Sequence, residues 1–116
     1  DLDIFHVKAE EFDGMLIPGG SAPDKLKEIP EVIKLTQAFD QSKKMIAFIC
    51  HGGLVPAKAN ILSGKKVTGT KSIKEDITGA GGIWEDRKLV VDDHLISSRT
   101  PKDLPVFGKA IVDYLC

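Results

Sequence analysis

Along the chain, uninterrupted apolar runs alternate with amphipathic stretches, and one run dominates. Met45-Ile46-Ala47-Phe48-Ile49 has no polar alternation and stops at Cys50-His51-Gly52-Gly53. So short a run without alternation predicts a strand buried on both faces, as in a parallel sheet. Gly52 and Gly53 permit a sharp change of direction, and the apolar and small residues from Leu54 to Leu62 predict a following helix, kinked at Pro56 and stopped at Ser63-Gly64.

The remaining pattern surrounds this unit with similar pieces. Asp1 to Glu11 suits an edge strand or an entry loop, and Phe12 to Ile17 a strand halted by Pro18-Gly19-Gly20. Pro30 fits the first position of a helix running to about Ser42, with Val32, Ile33, Leu35, Ala38 and Phe39 as its apolar stripe. Its solvated face is Glu31, Lys34, Gln37 and Gln41. Lys66 to Gly69 reads as a short strand, and Ser72-Ile73-Lys74-Glu75 has the spacing of a capping box opening a helix to about Thr78, ended by Ala80-Gly81-Gly82. Ile83 to Glu85, Leu89 to Val91 and Leu95 to Ser98 are short strands joined by turns at Asp86-Arg87 and Asp92-Asp93. The last helix begins near Asp103 and aligns Leu104, Phe107, Ile111, Tyr114 and Leu115 on one side. Strands alternating with helices predict an α/β fold, a doubly wound and mostly parallel sheet with flanking helices.

Composition narrows the function classes. With 16 basic and 17 acidic side chains in 116 residues, the field is weak and gives no basis for a nucleic-acid or anionic-membrane partner. No apolar segment reaches the roughly 18 residues needed to span a bilayer, and Asp1-Leu2-Asp3 resembles no targeting peptide. Cys50 and Cys116 lie far apart in sequence, which suits a reducing compartment and predicts a cytoplasmic chain. The three histidines, His6, His51 and His94, have no metal-ligand spacing, so neither a metal nor a cofactor is expected. His94, at a strand entrance, is expected to face solvent, and Trp84 to be a core or interface residue.

Cys50 concentrates the chemistry. A thiol lifted above a sheet by a strand, a sharp turn and a helix is built like a nucleophile elbow, and a helix start with an adjacent imidazole is expected to lower its pKa. The plain alternative is a small buried hydrophobe. His51 is the candidate proton acceptor, against the alternative of a solvent-exposed histidine without a role.

Ile49-Cys50-His51-Gly52, preceded by Ile17-Pro18-Gly19-Gly20-Ser21-Ala22-Pro23-Asp24 and followed by Ser72-Ile73-Lys74-Glu75-Asp76 and Leu95-Ile96-Ser97-Ser98-Arg99, resembles the PfpI family of the class I glutamine-amidotransferase-like superfamily. The resemblance runs through essentially the whole chain. It implies a flavodoxin-like sheet, Cys50 as nucleophile, His51 as its base, and an oxyanion hole at the backbone N–H groups of Gly20 and His51. It further implies Asp24 as the acid that orients the histidine, across a subunit boundary in a homo-oligomer, with a surface carboxylate as the alternative.

Departures from the family pattern are Ser21 in place of an arginine, Phe48 where elbows favour a small residue, and Gly53 in place of a proline. The downstream His-x-Glu of glutaminases is replaced by Ser98-Arg99-Thr100-Pro101, so glutaminase activity is not expected. The family begins with a strand, a helix and a strand before the position matching Asp1. Residues 1–116 are therefore expected to form a single, N-terminally incomplete domain that is poorly soluble or inactive when expressed alone. The family implies a cysteine-dependent hydrolase acting on carbonyls of peptides or glyoxal adducts. The alternative is a non-catalytic stress-response or redox-sensing protein using Cys50.

Overall fold

The computed structural model describes residues 14–17 and 25–115. Strand β1 (Gly14–Ile17) leads, after a turn, to α1 (Pro30–Gln41) and then to β2 (Met45–Ile49), which is buried at every position. A 3-10 turn, Cys50–Gly53, runs directly into the short helix α2 (Leu54–Lys58). After β3 (Lys66–Val67), a second 3-10 turn, Lys71–Ile73, opens α3 (Lys74–Gly79), which is followed by β4 (Ile83–Trp84). The chain closes with β5 (Val90–Asp92), β6 (Leu95–Ser98), a 3-10 turn at Pro101–Asp103 and α4 (Leu104–Leu115).

Strand order in the main sheet is β1-β2-β6-β5. β1, β2 and β6 run parallel, with Ile17 opposite Phe48 and Ile49 opposite Ser98, and β5 is antiparallel to β6. β3 and β4 form a separate parallel pair. Alternate residues of β2 feed opposite layers, as the two-residue period of a strand requires. Ile46 and Phe48 pack with Val32, Phe39, Leu54, Val55 and Ile77, while Met45, Ala47 and Ile49 pack with Ile96 and Phe107 of α4. Helices thus cover both faces, and the predicted doubly wound, mostly parallel sheet is present. Deleting the buried Phe48 ring is the kind of core truncation that costs about 3–5 kcal/mol.

Several local expectations are corrected. Helix α2 ends at Lys58, so Pro56 lies in its first turn, where its missing N–H removes no bond and no kink arises. The helix is ended earlier than at Ser63-Gly64, by a left-handed Asn60 with φ +60°, and Gly64, at φ +75°, makes a later turn. β4 joins β3 and forms no hairpin with β5, and Asp92 belongs to β5, leaving Asp93, at φ +55°, to make the turn. On α1, Gln37 is partly buried and its side chain donates to the Ala59 carbonyl, and the buried Thr36 bonds back to the Val32 carbonyl. The apolar side of α4 is mostly uncovered: Phe107 is buried, but Leu104, Tyr114 and Leu115 are 51%, 41% and 49% exposed.

His94 is the clearest reversal. It is 2% exposed, and its Nε2 lies 2.7 Å from Asp40 Oδ1 at the end of α1. Its own carbonyl accepts from Ile46 N–H at 2.8 Å, so the turn carries the imidazole inward under the sheet. A strand entrance seemed exposed because the sequence does not show that α1 ends beside it. Among the described residues no helix is long and apolar enough to cross a membrane.

Candidate active site

At the carboxyl end of β2 the chain changes direction on Cys50 itself, which has φ +57°. A non-glycine residue in this left-handed region costs of the order of 1–2 kcal/mol and persists only where its surroundings hold it. The turning residue is therefore the thiol's own, and Gly53 has an ordinary φ of −62°. Gly53 serves a different need. A Cβ there would lie 3.1 Å from Ile73 Cδ1, a tight approach, and 3.5 Å from Phe48 Cδ2, an ordinary contact, so its bareness makes room chiefly for Ile73 above the Phe48 ring. Two of the departures from the family pattern, Phe48 and Gly53, are thus neighbours in space.

Thr70 holds the strained residue. Its N–H donates to the Cys50 carbonyl at 3.3 Å, while its hydroxyl donates to the Arg99 carbonyl at 3.1 Å, tying the ends of β2 and β6 together. Gly69 precedes it, and a Cβ on Gly69 would lie 3.0 Å from the Cys50 carbonyl oxygen. Trp84 Nε1 donates to the Gly69 carbonyl at 3.3 Å, and Lys74 Nζ stands 5.1 Å from the Trp84 ring centroid.

Beyond β6, Asp103 organises the next turn. Its Oδ2 accepts from Arg99 N–H at 3.1 Å, from Arg99 Nε at 3.3 Å and from Thr100 N–H at 3.4 Å, closing a capping box with Thr100. Arg99 also reaches Asp86 at 2.8 Å. Burial works against the Asp103 carboxylate, but the Arg99 and Thr100 hydrogen bonds outweigh it and hold the group below the ordinary carboxylate range.

These surroundings push the Cys50 thiol up, first by burial and then by the Asp103 carboxylate, the reverse of the expected lowering. The preceding 3-10 turn and a helix of five residues give little dipole to oppose this. His51 Nε2 lies 2.8 Å from Ser72 Oγ, and among the described residues no hydrogen bond joins the imidazole to Cys50. The His51 N–H sits in the first turn after the strand, where backbone donors lack an intrahelical acceptor. Gly20, Asp24, His6 and Cys116 lie outside the described residues.

Ser72, Thr70, Arg99 and Asp103 are the site neighbours that sequence reasoning missed. The Ser72-x-x-Glu75 spacing predicts a capping box, but neither Thr70, before its turn, nor Ile73, before α3, has a side-chain cap, and the Ser72 hydroxyl meets His51 instead. Ser98, opposite Ile49, buries a hydroxyl without a partner among the described residues. A groove of about 460 Å³ lined by Leu54, Lys58, Asp76 and Gly79 lies on the α2–α3 flank and excludes both Cys50 and His51. Among the described residues no three His, Cys, Asp or Glu side chains stand together as a metal site.

The DJ-1/PfpI family model matches residues 1–114. YraA of Bacillus subtilis, whose name provisionally calls it a cysteine protease, is 38% identical over 99% of this chain and 68% of its own length. Protein/nucleic acid deglycase 2 of Escherichia coli is 40% identical over 94% of this chain and 64% of its own. A crystal structure of a two-domain protein from Anabaena variabilis, with DJ-1/ThiJ/PfpI-like and ferritin-like domains, superposes with a TM-score of 0.95 at 40% identity, covering 97% of this chain and 33% of that one. The chain spans about two thirds of the length of the curated relatives it matches.

Proposed function

The chain belongs to the DJ-1/PfpI family, and from that premise we propose that it is a cysteine-dependent hydrolase acting on carbonyls of peptides or glyoxal adducts, with Cys50 as the nucleophile. The observation that carries the proposal is the left-handed backbone at Cys50, a strained conformation placed at the end of a fully buried strand and held by Thr70. A small core hydrophobe gains nothing from that strain.

Because burial and Asp103 keep the thiol protonated, attack requires a base at the moment of reaction. His51 is assigned that role. In peptide hydrolysis the thiol proton passes to the imidazole as sulfur bonds to the carbonyl carbon. The oxyanion then accepts from the backbone N–H groups of His51 and Gly20. As the tetrahedral intermediate collapses, the C–N bond breaks and the imidazolium returns the proton to the leaving amine. Water attack on the thioester releases the acid and restores the thiol. Asp24 orients His51 from a neighbouring subunit of a cytoplasmic homo-oligomer. A peptidase-like name and a deglycase name among the relatives support carbonyl chemistry of both kinds.

The test is turnover of a small peptide and of a methylglyoxal adduct by the protein and its Cys50→Ala variant. Turnover that vanishes in the variant supports the hydrolase. Reversible oxidation of Cys50 without turnover of either substrate favours the stress-response or redox-sensing alternative.

A further inference from the structure

We propose that Ser72 is the positioning residue for His51, setting which ring nitrogen carries the proton; this rests on the assignment of Cys50 and His51 as the reacting pair. Ser72 sits in the 3-10 turn Lys71–Ile73, and its Oγ lies 2.8 Å from His51 Nε2. Its hydroxyl caps neither that turn nor α3, so its assigned role is this contact. The turn itself is anchored at the thiol, because the adjacent Thr70 N–H donates to the Cys50 carbonyl. The residue that holds the elbow and the one that holds the imidazole therefore belong to one short segment.

The chemistry fixes the direction of the bond. A neutral imidazole has one N–H and one lone pair, and only the lone pair takes a proton. If Ser72 donated to Nε2, that lone pair would be occupied and the proton would sit on Nδ1, leaving no acceptor for the thiol. A base needs the opposite arrangement: Nε2–H donates to Ser72 Oγ, and Nδ1 keeps a free lone pair. The same bond survives when Nδ1 takes the thiol proton, so it steadies the ring in both charge states. The neutral ring then has only its Nε2–H to give, so Ser72 holds from within the chain the N–H that the resemblance assigns to Asp24, and Asp24 would share it.

The experiment is a long-range proton–nitrogen NMR spectrum of the histidine side chains in uniformly ¹⁵N-labelled protein, recorded for wild type, Ser72→Ala and Ser72→Thr and paired with kinetics on the peptide and methylglyoxal-adduct substrates. Wild type and Ser72→Thr are expected to show His51 as the Nε2–H tautomer, and Ser72→Ala a mixed population. kcat is expected to fall roughly tenfold in Ser72→Ala with KM nearly unchanged, and to recover in Ser72→Thr. Ser72 is exposed and caps nothing, so the melting temperatures of the variants should match and exclude misfolding as the cause. An Nδ1–H tautomer in wild type, an unaltered tautomer in Ser72→Ala, or an altered tautomer with unaltered kcat overturns the proposal. A tautomer shift in a protein that turns over no substrate at all would instead sink the hydrolase reading while leaving the hold of Ser72 on His51 established.

Discussion

A Cβ placed on Gly69 would come within 3.0 Å of the Cys50 carbonyl oxygen and of Ile73 Cδ1. The loop before Ser72 therefore packs backbone against backbone on the thiol residue, and Gly69→Ala must displace one of the two. We expect a loss of roughly 1–2 kcal/mol in stability together with a slower alkylation of Cys50. Denaturant melts and iodoacetamide kinetics on the same sample check this, and unaltered alkylation would show that the loop does not set the elbow.

The positive φ at Cys50 can be measured by substitution. Cys50→Ala removes the sulfur and keeps the strain, whereas Cys50→Gly removes both. The glycine variant should be more stable than the alanine variant by roughly 1 kcal/mol, inverting the usual ranking of these residues. Urea midpoints decide it, and an alanine variant at least as stable as the glycine variant would remove strain from the account.

Thiol reactivity should depend on Asp103. Burial is the larger cause of the raised Cys50 pKa and the Asp103 charge the second, so Asp103→Asn should move the alkylation midpoint to lower pH while leaving it above the ordinary value of 9.0. The sign for stability follows from the same shift: the unfolded thiol ionises first, so its contribution is whole below about pH 9 and is lost as pH rises through the folded pKa. Cys50→Ala should flatten this alkaline loss. An unmoved midpoint in Asp103→Asn would separate Asp103 from the thiol.

At the other end of the sheet, Asp40→Ala should leave the buried His94 Nε2 without its partner and cost about 1–3 kcal/mol. Cys50 alkylation should not change, because His94 precedes β6 whereas the thiol follows β2, a parallel neighbour. A variant that loses reactivity at temperatures where it is still folded would contradict that separation.

What could be read from the residues divides along physical lines. Buried β2 and the limits of α1 follow from local pattern, since a polar-free run and a proline at a helix start carry their own meaning. The elbow was legible from the strand, the thiol and the glycines, but which residue takes the left-handed turn was not: glycines tolerate it best, and it falls on Cys50, whose carbonyl accepts from Thr70 N–H. Ser72 misled because one hydroxyl satisfies a capping pattern or a histidine equally well on paper, and which it meets is decided by how β3 and α3 fold over the elbow. The α4 stripe was correctly periodic, but periodicity does not say how much of a face finds a neighbour.

Thr70 bridges two strand ends with one N–H and one hydroxyl. Its amide hydrogen can reach solvent only when the Cys50 carbonyl lets go, so deuterium uptake at this one position counts how often the reactive turn relaxes. Slow uptake there, beside fast uptake at the exposed end of α4, would mean that the chain keeps its thiol cocked even while its periphery breathes.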